Sequence, residues 1–230
     1  MKLTDVLDHA RRTHTRTAGL IDPTRTRSQL FSPANLSNLI LWYDLSDNTG
    51  NESEAISIIS DKSNSGRNGT CTGVIYCKHP VTKKNGFHIY HPTGYVSYTA
   101  ASIRTVAIAA DYCGGYGFLI SDSSNYNWHG GTITCLHATY AADEVKNGSW
   151  RINGTTITPT SYEWRTGAQV ITVVTTANVS QNRFGYDRTH NANLWKYYEV
   201  IFYSDVKSSE QIRQLELYLA DKWKIPLELI

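Results

Sequence analysis

Methionine is nearly absent from this 230-residue chain, with one copy, and charged residues make up only 18%. Tyrosine is plentiful at 15 and tryptophan at six. A Tyr-, Thr- and Ser-rich chain of modest charge favours sheet over helix. No apolar run is long enough for a membrane-spanning helix. The opening stretch MKLTDVLDHARRTH carries no hydrophobic signal region, so synthesis and folding in a cytoplasm are expected. The net charge of +2 is too small to point to nucleic acid. The cysteines Cys71, Cys77, Cys113 and Cys135 form no CxxC and have no zinc-ligand spacing with histidine, so buried or half-buried thiols are expected.

Catalytic signals are also missing. A retaining glycosidase needs two carboxylates about 5 Å apart. On a strand, positions i and i+2 share a face, so such a pair would read Glu-x-Asp or Glu-x-x-x-Glu. The acidic residues are instead scattered at Asp111, Asp122, Asp143, Glu144, Glu163, Asp187 and Glu199. Glu199 has no acidic partner two or four positions away. No enzyme activity and no cofactor are expected. Asp44, Asp47 and Asn48 form an oxygen-rich loop but no full calcium ligand run, so no metal is expected.

What is present begins with an asymmetry of charge. Residues 1–30 hold six basic against three acidic side chains, whereas the remainder holds sixteen against seventeen. Leu3, Val6, Leu7 and Ala10 repeat at helical spacing over a segment too short to stand alone. With Arg11, Arg12 and Arg16 they make residues 1–34 a basic arm, and three expectations follow. It docks on a neighbouring subunit, packs on its own domain, or is disordered. From Asn35 onward the chain reads as short strands and turns: 39–44, 55–60, 86–91, 95–98, 104–112, 117–121, 132–137, 150–154, 168–176, 182–187 and 194–204. Asn85-Gly86, Asn147-Gly148 and Asn153-Gly154 offer the positive φ angles of tight hairpins. The chain closes on one amphipathic helix. Ser208 and Gln211 form its capping box, Glu210 sits in its first turn, and Ile212, Leu215, Leu219 and Trp223 line one face.

The ordered series LILWYDLSD, ISDKSNSGRNGT, NGFHIYHPTGYVSY, WRINGTTI, NRFGYDR and LWKYYEVIFYSDVKSSEQIRQLELYLADKWKI resembles the concanavalin A-like/LamG-like jelly-roll domains of bacteriophage virion proteins and bacterial surface proteins. The resemblance covers residues 35–227. It implies an all-β, two-sheet antiparallel jelly-roll sandwich, here preceded by an arm and ended by a helix. It further implies a non-enzymatic virion structural protein, a head decoration or a tail or fibre component. Its partners would be other virion proteins and copies of itself, with neither nucleic acid nor membrane involved. The alternatives are a module that binds carbohydrate on a host surface and, behind it, a glycan-cleaving enzyme.

For the carbohydrate-binding module one loop stands out. SDSSNYNWHGG concentrates Asp122, Tyr126, Asn127, Trp128 and His129 before two glycines. Aromatic rings stack on sugar faces, and amides and carboxylates read hydroxyls. The competing reading has Trp128 packing on its own domain. Asp187 and Arg188, with His190, form a second candidate, although an Asp-Arg pair commonly fixes a turn.

Overall fold

The computed structural model describes residues 31–114, 118–188 and 195–228. The arm residues Leu3, Val6, Leu7, Arg11, Arg12 and Arg16, and also His190, lie outside the described residues. The body is the unit Ser32–Ile230. Ser32 caps a short 3-10 turn, Pro33–Asn35. The buried Tyr203 hydroxyl donates to the Pro33 carbonyl at 2.9 Å, so the chain is tied into the body slightly before Asn35.

The strands are β1 (Leu39–Asp44), β2 (Ile58–Ile59), β3 (Gly69–Thr72), β4 (Val74–Lys78), β5 (Asn85–Ile89) and β6 (Tyr95–Tyr112). After the helical turn α1 (Asp143–Lys146) come β7 (Ser149–Ile152), β8 (Thr155–Ile157), β9 (Gly167–Phe184) and β10 (Trp195–Tyr203). Helix α2 (Ser209–Trp223) closes the series. The fold is all-β and antiparallel, with one long helix. The strands form a single ten-stranded sheet, with the path β4-β5-β10-β6-β9-β7-β8. β1 adds to β10, and β3 joins β2 to β6.

Two strands hold this sheet together. β6 and β9 each run for 18 residues. Segments that read as separate strands in the sequence, 95–98 with 104–112 and 168–176 with 182–187, are therefore parts of continuous strands. Register breaks between Ile103 and Thr105 mark the corner. There the Arg104 guanidinium donates to the carbonyls of Thr175 and Thr176 at 3.0 and 3.2 Å. Bulges of this kind bend a strand and increase its twist. Beyond the corner the sheet folds back over itself. Tyr98 meets Tyr43 of β1 edge-on at 6.1 Å, and Phe184 stacks on Phe202 of β10 at 5.8 Å.

The two faces of the near half have different partners. Val106, Ile108 and Ala110 of β6 and Val200 and Phe202 of β10 enter the aromatic core. Alternation sends Ala107, Ala109, Ile201 and Tyr203 to the opposite face, where α2 packs over β6 and β9. Ser208 and Gln211 cap α2 reciprocally. Leu215, Leu219 and Trp223 are fully buried beneath it, and each such side chain contributes about 1.5–3 kcal/mol of burial free energy.

Several local expectations change. Asn85-Gly86 is no turn and lies inside β5. Gly86 is needed because a Cβ there would lie 2.4 Å from the Tyr197 carbonyl oxygen. Asn147, with φ of −90°, ends α1 in place of opening a hairpin. Residues 118–120 and 132–137 form no ladder strand; they bury Phe118, Ile120, Cys135 and Leu136 as irregular loop. Asn153 and Gly154 do take positive φ, 50° and 84°, between β7 and β8.

Candidate functional site

The loop from Phe118 to Ala142 carries the candidate binding residues, and it is fastened from below. Asp122 is buried and accepts the amides of Ser124 at 2.7 Å and Asn125 at 3.0 Å. Its carboxylate shapes a turn, as short acidic side chains commonly do, so its Oδ1 is committed to the backbone. Asn127 donates to the Ser180 carbonyl at 3.0 Å, which staples the loop to β9. Trp128 is only 3% exposed and packs against Trp150 with ring centroids 6.0 Å apart. A ring in that position anchors the loop in the core and has no face left for a ligand. The stacking role assigned to Trp128 therefore does not fit its burial.

His129 is buried as well, and its Nδ1 lies 3.0 Å from the Asp187 carboxylate. The two sequence candidates thus meet in space. Asp187 orients the imidazole of the other segment. Arg188 lies over the Tyr126 ring, 4.2 Å from its centroid.

Two further residues complete the cluster. Tyr140 is 58% exposed and sits 4.5 Å from His137, 5.7 Å from His129 and 6.2 Å from Tyr126, ring to ring. The half-buried His137 accepts the amides of Thr139 and Tyr140 on Nδ1. Nε2 must then carry the proton of the neutral ring and act as a donor. Burial pushes the His137 pKa down, and the neighbouring His129 and Lys146 add to that, so the neutral donor form prevails at pH 7. The surface therefore offers one open tyrosine ring, a second half-open ring and an imidazole N–H, backed by a buried Asp–His pair. Such a group can stack on an apolar sugar face and donate to a hydroxyl. Sequence reading missed His137 and Tyr140 because 132–137 looked like a strand. Their signal was His-x-x-Tyr shortly after Trp128.

A second polar constellation lies under α2. Register shifts at Tyr198, where Tyr197 pairs with Ala110 and Glu199 with Ala109. The extra residue turns Glu199 to the helix side. There its carboxylate receives Trp42 Nε1 at 2.7 Å, Tyr218 Oη at 2.8 Å, Trp223 Nε1 at 2.9 Å and Lys222 Nζ at 2.8 Å. Lys222 also reaches Asp44 at 2.9 Å, and Lys62 reaches the same Asp44 oxygen at 2.9 Å. Burial drives the Glu199 pKa up, only partly offset by Lys222. Burial also raises Asp44, but the charge and hydrogen bonds of Lys222, with Ser46 and Lys62, outweigh it and hold the group at about 2. The Asp44 carboxylate considered for calcium is thus occupied by two ammonium groups. Among the described residues, no cluster of three or more acidic, His or Cys side chains suits a metal ion. Burial raises the thiols of Cys71 and Cys77 to about 12, so these side chains are not nucleophiles at neutral pH.

Compared with protein-family models, curated proteins and solved structures, the chain matches none.

Proposed function

We propose that this chain is a non-enzymatic virion protein of bacteriophage type. Its body would be a concanavalin A-like jelly roll that displays a carbohydrate-contacting surface, and its basic arm would bind neighbouring subunits. The carrying observation is the cluster of Tyr126, His137 and Tyr140, exposed or half-buried on a loop whose underside is pinned by Trp128, Asn127 and Asp122. Rings held in place before a ligand arrives lose little freedom when it binds. The bent strands β6 and β9, which fold one part of the sheet over the other, support the jelly-roll reading. Commitment of the buried acids supports binding over hydrolysis. Glu199 and Asp44 hold Lys222, Glu216 holds Arg151, and Asp187 holds His129.

Binding of the full chain to host-surface polysaccharide, measured by calorimetry, tests the surface. Tyr140→Ala is expected to weaken binding about tenfold, from the loss of one stacked ring, and to leave the melting temperature unchanged. Equal affinity in Tyr140→Ala and the parent would remove this surface from the reading. The virion role is tested by mass spectrometry of purified particles. Particles assembled normally on a chain lacking residues 1–31 would refute the anchoring arm.

A further inference from the structure

A groove runs between α2 and the outer face of β7 and β9, built from none of the residues of the Tyr126–Tyr140 surface. One cavity of about 480 Å³ is lined by Ser149, Arg151, Thr172, Lys207, Ser209 and Arg213, with Val174 and Ile212 beneath. A second, of about 390 Å³, continues past Arg151 and Arg213 to Thr156 and Glu228. Arg151 and Arg213 line both. In the sheet, Arg151 stands between Thr156 of β8 and Thr172 of β9 in register, which gives the groove a polar floor.

The charges along it are unevenly spent. Lys207 is committed to Asp205 at 2.6 Å and to the Ser37 carbonyl at 2.7 Å. Arg151 donates through Nε and Nη2 to Glu216, at 2.7 and 3.3 Å, and through Nη2 also to the Gly154 carbonyl. Its Nη1 amino group makes no hydrogen bond among the described residues. Arg213 is half-buried on the wall of the groove and has no ion pair or hydrogen bond there. At the far end Glu228 accepts from the Thr155 hydroxyl at 3.2 Å. Among the described residues, the Lys207–Arg213 end is left with one whole unpaired guanidinium, one amino group of another, and the hydroxyls of Ser149 and Ser209. A planar guanidinium matches an oxyanion two donors at a time.

We propose that this groove binds an acidic polysaccharide. A carboxylate or sulfate group would sit between Arg213 and Arg151 Nη1, with Ser149, Ser209 and Thr156 facing sugar hydroxyls. The proposal does not depend on the tyrosine surface. The test is calorimetry on the full chain at low salt, with polygalacturonate as the carboxylated probe, heparin as the sulfated one, dextran as the neutral one and polyglutamate as the acidic peptide. At least one of the two acidic polysaccharides is expected to bind and dextran is not. Arg213→Gln should weaken that binding about tenfold, and Arg213→Lys should restore part of it. Arg213 makes no ion pair or hydrogen bond among the described residues, so both variants are expected to melt with the parent. Wild-type affinity in Arg213→Gln overturns the site. Polyglutamate binding that is as tight and as sensitive to Arg213 overturns the saccharide as occupant.

Discussion

Glu199 and Asp187 are both carboxylates withdrawn from water, and they are held in different ways. Glu199 receives an ammonium, two indole N–H groups and a phenol, drawn from β1 and α2 onto β10. Asp187 meets the imidazole of His129 below a loop surface that ends in an exposed Tyr140. The first arrangement joins three elements and leaves the carboxylate no room for a ligand. The second orients one side chain of a loop whose outer groups stay accessible. Buried polar networks that are fully satisfied specify a unique packing. By this comparison α2 is a welded part of the fold, whereas the outer groups of the Phe118–Ala142 loop stay accessible.

Removal of Lys222 should have the largest effect. Its ammonium lies between Asp44 and Glu199 and over the Tyr218 and Trp223 rings. Lys222→Met leaves the fully buried Glu199 without a cation and Asp44 with Lys62 alone, a change that costs about 3–5 kcal/mol. Urea unfolding should show that loss with little change in slope. The double variant Lys222→Met with Glu199→Gln should recover part of it, because the uncompensated charge is gone. If Lys222→Met were as stable as the parent, the idea of a welded helix would fail.

The acid limb of stability sharpens the same point at smaller scale. Asp44 is held at about 2 in the folded protein against an ordinary 3.8. A depressed carboxyl contributes stability that is complete above its unfolded pKa and disappears as pH falls through the folded one. A shift of this size corresponds to about 2 kcal/mol. The stability difference between the parent and Asp44→Asn should therefore shrink as pH falls from 3.8 towards 2. A difference that stayed constant over that window would place the Asp44 contribution elsewhere than in its charge.

The sequence reveals the helix more fully than the acids beneath it. Ser208, Gln211 and the stripe from Ile212 to Trp223 follow local rules of capping and period, and α2 is where they put it. The Asn153-Gly154 turn is legible for the same reason. The direction of Glu199 is not, because the bulge at Tyr198 changes side-chain parity through pairing with β6, a strand some 90 residues away in the chain. The corner at Arg104 and Thr175 is likewise a property of two paired strands, so each long strand reads as two. In the candidate site, the composition of 121–131 singles out part of the Phe118–Ala142 loop. It does not tell that Trp128 turns inward while Tyr140, twelve residues later, turns outward. Irregular loop has no period from which to read a face.

The smallest expected effect comes from Asp187→Asn. The amide keeps an acceptor oxygen opposite His129 Nδ1 and removes the charge, so the hydrogen bond weakens without leaving a hole. Weakening the Asp187–His129 hydrogen bond should cost about 1 kcal/mol, well below the Lys222→Met loss. Hydrogen exchange should locate it in residues 118–142, with the amides of β6 and β10 unaffected, since loop regions open separately from core strands. If Asp187→Asn instead lowered protection throughout β10, the Asp187–His129 pair would be holding the sheet together much as Glu199 does, and the loop would not be a unit separate from the core strands.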